Sequence, residues 1–173
     1  MSDNKNWFQR MSGGILTPNK DKKDLPAGLW FQCPKCKSRF PQNEHKDNLK
    51  VCECGYHDRI SPKEYFEILF DTTRYKLHFE NLIAKDPLGF QDLKDYPTRL
   101  AQAKEKSQVN EAIQIAVGKM NDQKVVIAAM NFAFIGGSMN SVVGEKISRA
   151  IDLCIENKFP LIIISSYAIL LAR

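Results

Sequence analysis

The sequence predicts an α/β protein in two parts, a small N-terminal zinc ribbon followed by an α/β domain. Three observations predict it. Cysteines cluster as Cys33-x2-Cys36 and Cys52-x-Cys54 in a segment with little other core. Beyond residue 60 the apolar pattern reads β-β-α-β, with a helix between the last two strands. A Gly136-Gly137-Ser138 turn stands between the second of those strands and the helix.

Residues 1–28 read as a flexible lead, polar and lysine-rich from Thr17 to Lys23, with Pro18 and Pro26 as breakers. Residues 29–58 carry the cysteines and need a metal to fold. Structural zinc supplies roughly 10–16 kcal/mol in small fingers, enough to order such a segment. Residues 59–173 form the α/β domain. Ser61-Pro62-Lys63-Glu64 is a capping box with proline at the first helical position, so a helix starts there and carries Tyr65, Phe66, Ile68, Leu69 and Phe70. A second helix is expected from Tyr96 to Ser107, with Leu100, Ala103 and Lys104 at helical spacing. Ala112 to Lys119 and Lys124 to Met130 read as two strands of a hairpin, turned at Asn121-Asp122. A long helix follows from Asn140 to Asn157, with Val143, Ile147, Ala150, Ile151 and Cys154 expected on its buried face. Phe159-Pro160 stops it, and Leu161 to Ile164 reads as a buried strand reached by a right-handed crossover.

The chain has 173 residues, 43% hydrophobic and 26% charged, with a formal charge of +5. The charge is compatible with a nucleic-acid or anionic partner without singling one out. A nucleic-acid-binding or protein-binding ribbon is the competing reading, with Lys35, Lys37, Arg39, Lys46 and Lys50 near the cysteines. The start, MSDNKNWFQR, has no apolar core of a signal peptide, and no run reaches the ~18 apolar residues of a membrane span. Clustered cysteines without a secretory signal favour a reduced, cytoplasmic setting and zinc over disulfides. Cys154, on the apolar face of the long helix, reads as a packed core thiol.

Zinc asks for four thiolate or imidazole ligands in a tetrahedron. Cys33-Pro34-Lys35-Cys36 is a good knuckle. Cys52-Glu53-Cys54 is not, because one intervening residue in an extended chain sends the two side chains to opposite faces. The expected set is Cys33, Cys36, Cys52 and Cys54, with His57 as the alternative fourth ligand. His45 and His78 read as surface or core histidines. Around Gly136, Gly137 and Ser138, backbone amides near a helix N-terminus are suited to an anion or a developing oxyanion, though the pattern is neither GxGxxG nor a P-loop.

Three stretches together, GILTPNKDKKDLPAGLWFQCPKC, SPKEYFEILFD and FAFIGGSMNSVVGEKISRA, resemble the beta subunit of the bacterial acetyl-CoA carboxylase carboxyltransferase, over residues 6–165. The resemblance implies a four-cysteine zinc ribbon and the N-terminal part of a crotonase-like α/β domain. It implies transfer of a carboxyl group from carboxybiotin, on a biotin carboxyl carrier protein, to acetyl-CoA, giving malonyl-CoA for fatty-acid synthesis. The implied partners are the alpha subunit, in a heterohexamer with two alpha and two beta subunits, the carrier protein, and a biotin carboxylase that uses ATP. No membrane is involved. Gly136, Gly137 and Ser138 would lie beside the thioester. The chain departs from the family in two places. The family has C-x2-C in the second knuckle, and after Leu161–Ile164 it continues with a serine and a Gly-Gly-Ala-Arg turn where this chain has Ser165-Ser166-Tyr167 and the apolar Ala168–Leu171. From these departures the sequence reads as a truncated copy without carboxyltransferase activity of its own.

Overall fold

The structure is a computed structural model; it describes residues 29–166 except positions 87 and 92. The expected lead and the apolar tail lie outside the described residues. Two compact units are present, one running to Asp58 and one starting at Arg59.

In the first unit, β1 (Trp30–Gln32) and β2 (Arg39–Pro41) pair antiparallel with Phe31 opposite Phe40. A short helix, α1 (Gln42–Asp47), follows directly. The sequence shows little core here, yet His45 is only 1% exposed. Its ring stacks on Phe31 at 3.7 Å between centroids and lies 5.4 Å from Phe40, with Nε2 3.5 Å from Asp58 Oδ2. Among the described residues, three aromatic rings on one hairpin and one helical turn make the apolar centre of this unit, which leaves its order dependent on the cysteines.

The second unit is built on a four-stranded sheet in the order β3-β4-β5-β6: β3 (Lys76–His78), β4 (Ile113–Met120), β5 (Gln123–Met130) and β6 (Leu161–Ile164). The first three strands are antiparallel, and β6 joins β5 in parallel with Val126 opposite Leu161. β5 carries an almost unbroken apolar run because both of its faces are covered. On one face lies α2 (Pro62–Leu69), whose capping box closes in both directions: Ser61 N donates to Glu64 Oε2 at 2.8 Å and Glu64 N to Ser61 Oγ at 3.4 Å. Phe66 and Phe70 pack here against Ala116, Val125, Ile127 and Ala129. Gly118 is needed beneath them, since a Cβ there would stand 2.6 Å from the Phe70 ring. On the other face, Leu100 and Ala103 of α3 (Tyr96–Ser107) and Val143, Ala150 and Cys154 of α4 (Ser141–Asn157) share a core with Ile113, Ile115, Val126, Ala128 and Met130. Burial pushes the Cys154 thiol pKa up, in keeping with a packed thiol.

Two expectations change. The strand β3 has no counterpart in the sequence reading, because three residues containing a lysine and a histidine carry no readable period. On α4, the buried stripe holds Lys146 (3% exposed), while Ile151 is 41% exposed. Lys146 is accommodated there with its Nζ donating to the Ile113 carbonyl at 3.4 Å. Burial lowers the Lys146 pKa, and the charges of Glu111 and Glu80 support the ammonium against it.

The hairpin turn is of the type expected for twisted strands, with Asn121 at φ 50° and Asp122 at φ 62°. Asp71, just beyond α2, fastens it: its carboxylate accepts the Asn121 amide at 2.8 Å and the Asp122 amide at 2.9 Å. The Asp122 and Asn121 amides, aided by the Lys119 charge, hold the Asp71 carboxyl below its ordinary value. A depressed folded pKa adds stability above the unfolded value and loses it as pH falls through the folded one. Urea denaturation across acidic pH is expected to show a loss of stability beginning near the ordinary carboxylate range. Asp71→Asn should be less stable at neutral pH and flatter through that window; an unchanged acid limb would rule out this fastening.

Candidate metal centre and glycine turn

The four sulfurs of Cys33, Cys36, Cys52 and Cys54 all lie within 4.8 Å of one another. Cys33 Sγ stands 3.7 Å from Cys54 Sγ, and Cys36 Sγ 3.6 Å from Cys52 Sγ. Zinc bound tetrahedrally to sulfur at ~2.3 Å requires edges of about 3.8 Å, so the cluster fits a zinc ribbon.

Two turns deliver the thiols. In the first, Lys37 N donates to Cys33 O at 2.9 Å and Cys33 N to Ser38 O at 3.0 Å. In the second, Gly55 N donates to Cys52 O at 2.8 Å and Cys52 N to Tyr56 O at 2.8 Å, with Gly55 at φ 76°. The tight turn at Cys52–Gly55 abolishes the extended alternation that made Cys52-x-Cys54 look unsuitable, and brings both thiols to one side. His57 instead pairs with Val51 in an isolated β-bridge and is outside the four-residue cluster.

The thiols are inequivalent. Cys33 and Cys52 are buried, Cys54 is half-buried and Cys36 is exposed. The Ser38 hydroxyl and amide hold Cys36 down to about 6. The Cys54 amide acts to lower Cys52, but burial and the neighbouring thiols outweigh it and push Cys52 up to about 12. Metal binding takes thiolates, so a bound dication would hold these sulfurs deprotonated.

In the second unit, Met130 ends β5 and Asn131 begins the loop to α4. Gly136 and Gly137 lie in a 3-10 turn over Ile135–Gly137. Ile135, Gly136 and Gly137 have φ of 45°, 64° and 74°. Two of these suit glycine; a β-branched residue at positive φ is strained backbone, of the kind that gathers at functional sites. Gly137 N donates to Phe134 O at 2.9 Å and Ser138 N to Ile135 O at 3.2 Å. The helix begins at Ser141, next to the expected start at Asn140. Asn140 is its cap, with Oδ1 accepting the Val143 amide at 2.9 Å. Gly137 is buried, whereas Ser138 and Met139 are exposed.

Sequence reasoning misses Glu111, 1% exposed. Its Oε1 accepts the Ala84 amide at 2.8 Å and its Oε2 the Asn140 side-chain amide at 2.9 Å. With Lys146, His78 and Glu80 it lines a cavity of about 100 Å³. A glutamate directly before an apolar strand is the one sequence signal that could have marked it.

No helix among the described residues is long and apolar enough to cross a membrane.

The chain is 48% identical over 160 residues to the acetyl-coenzyme A carboxylase carboxyl transferase subunit beta of Prosthecochloris aestuarii, covering 92% of this chain and 57% of that protein. Identity to the subunit of the same name from Amoebophilus asiaticus is 50%, with the same coverage. The chain therefore spans little more than half the length of the curated relatives it matches. Among solved structures, a single-chain, multi-domain long-chain acyl-CoA carboxylase superposes with a TM-score of 0.50 at 13% identity, over 63% of this chain and 11% of that one. At that identity the likeness concerns the fold alone, the crotonase-like α/β class. Residues 81–168 match the family model of the carboxyl transferase domain. With the strained glycine turn and strands β4, β5 and β6 inside that match, the chain belongs to the carboxyl transferase domain family.

Proposed function

We propose that this chain belongs to a carboxyltransferase beta subunit of acetyl-CoA carboxylase, the subunit that moves the carboxyl group of carboxybiotin to acetyl-CoA to form malonyl-CoA for fatty-acid synthesis, and that by itself it carries no such activity. The observation that carries this reading is the 48% identity, across 92% of the chain, to a subunit of that name. In that reading it works in the cytoplasm with an alpha subunit, a biotin carboxyl carrier protein and an ATP-consuming biotin carboxylase. Its ribbon is residues 29–58 and its carboxyltransferase portion residues 59–173. Cys33, Cys36, Cys52 and Cys54 hold zinc, which serves structure, since a four-cysteine site leaves no open position.

The chemistry explains why a glycine turn would lie at the substrate. Removing a proton from the acetyl methyl places negative charge on the thioester oxygen. The resulting carbon then forms a bond to the carboxyl carbon as its bond to the biotin nitrogen breaks, leaving charge on the ureido group. Donors arranged in advance around those oxygens lower such barriers by several kcal/mol. The amides of Gly137 and Ser138 already donate inside the turn. The role proposed for Gly136, Gly137 and Ser138 is therefore to shape the wall beside the thioester, with a left-handed backbone at Gly136 and Gly137 that a larger residue resists.

The test is isothermal titration of the chain with acetyl-CoA, beside Gly136→Val. Saturable binding that weakens at least about tenfold in the variant is expected, because a β-branched side chain at φ 64° distorts the turn. Equal binding by both chains, or none by the wild type, would remove the turn from the acyl-CoA site.

A further inference from the structure

Three consecutive residues at the start of β4 grip the loop that carries the glycine turn. The Ala112 carbonyl accepts the Asn131 amide at 2.7 Å, at the point where the loop leaves β5. Glu111 Oε2 accepts the Asn140 side-chain amide at 2.9 Å, at the point where the loop enters α4. The Ile113 carbonyl takes Lys146 Nζ at 3.4 Å, further along that helix. The second grip differs from the others because it is made between two side chains, one of them an almost fully buried carboxylate. The other oxygen of Glu111 accepts the Ala84 amide, so the carboxylate cannot turn away without losing a second bond. Asn140 is equally engaged, its Oδ1 capping α4 through the Val143 amide. The loop between these grips contains the left-handed run Ile135-Gly136-Gly137. Strained backbone persists only where its surroundings over-determine it.

We infer that Glu111 is a positioning residue for the Gly136–Ser138 turn, acting through the side chain of Asn140. The functional consequence, a wall held in place beside the thioester, rests on the acyl-CoA reading above; the tether itself does not.

Polarity makes the tether separable from general packing. Both partners of Glu111 are donors, so Glu111→Gln sets an amide N–H₂ against one of them. Asn140→Asp sets a carboxylate against Glu111. The double variant, Glu111→Gln with Asn140→Asp, exchanges donor and acceptor. The introduced glutamine amide then donates to the introduced carboxylate. That carboxylate still caps the helix, as aspartate does as well as asparagine.

The measurement is amide hydrogen exchange at Gly137 and Ser138, whose N–H groups are bonded within the turn, with Ile127 and Ala128 in β5 reporting global opening. Each single variant is expected to exchange about tenfold faster at the turn than the wild type, relative to β5, as befits one buried hydrogen bond lost. The double variant is expected to return to within about threefold of the wild type, the signature of a coupled pair. A double variant as fast as the product of the singles, or acceleration of β5 equal to that of the turn, would overturn the tether. Acetyl-CoA titration of the four chains then isolates the other reading. Restored protection with unchanged affinity in every chain leaves the tether standing and removes the turn from the acyl-CoA site.

Discussion

Cys54→Ala is expected to take the purified chain from about one zinc per molecule to well below half, and to unfold the ribbon, while His57→Ala keeps its metal. The packed aromatic centre of that unit, among the described residues, is Phe31 and Phe40, on strands of three residues each, with the His45 ring from α1. So small a centre offers little against the ordering entropy of some thirty residues, at roughly 1–2 kcal/mol each for the backbone. The metal is the one large favourable contribution available, about 10–16 kcal/mol for structural zinc at neutral pH. It needs all four thiolates, and the Cys54 sulfur stands 3.7 Å from that of Cys33, one edge of the cluster. Removing it leaves three ligands and an open coordination position, which water fills with much less stabilisation. His57 is held away by its bridge to Val51 and cannot take the place without breaking that pairing. Inductively coupled plasma mass spectrometry gives the metal content, and amide NMR line dispersion the order of residues 29–58. Zinc retained in Cys54→Ala but lost in His57→Ala would show that the imidazole, not the Cys54 thiolate, completes the site.

How much of this is readable in the sequence depends on whether a residue's role is local. Ser61 and Glu64 announce α2 because a capping box is completed within one turn, and Asn121-Asp122 announces the hairpin because left-handed backbone favours those residues. The limits of the long helix α4 and of β6 follow from period and breakers alike. The ribbon's strands and α1 are not readable, since three residues carry no period and their register is set by the knuckles. The Cys52-x-Cys54 gap misleads because strand geometry does not apply to what is a turn; Gly55, at φ 76°, is the available signal. Lys146 and Glu111 escape for a different reason. Burial of a charge is a tertiary fact, created only when α4 meets the start of β4, and each looks like an ordinary surface residue until its partner is known.

Phe66→Ala is expected to cost the second unit about 3–5 kcal/mol, toward the upper end for a buried aromatic truncation. Phe66 is fully buried, with its ring 5.9 Å from that of Phe70 and 5.2 Å from that of Tyr75. How much such a change costs depends on how far the surroundings can close in. Here the surface beneath is Ala116, Val125, Ile127 and Ala129 on paired strands, with Gly118 alongside. The strands that carry these side chains are fixed by the β4–β5 ladder, so they cannot move into the void as a body. Phe70 already lies against Gly118, its preferred seat, and would give up that contact to move. The cavity therefore stays open, and its lining loses contacts that neither water nor a neighbour replaces. Against a total of roughly 5–15 kcal/mol for a domain, this leaves little margin. Phe66→Leu, which keeps most of the volume, should cost less than half as much. Urea denaturation followed by fluorescence gives both values. A loss below about 1.5 kcal/mol for the alanine variant would mean that α2 slides down onto the sheet, and that packing of α2 over β4 and β5 is looser than its buried aromatic pair implies.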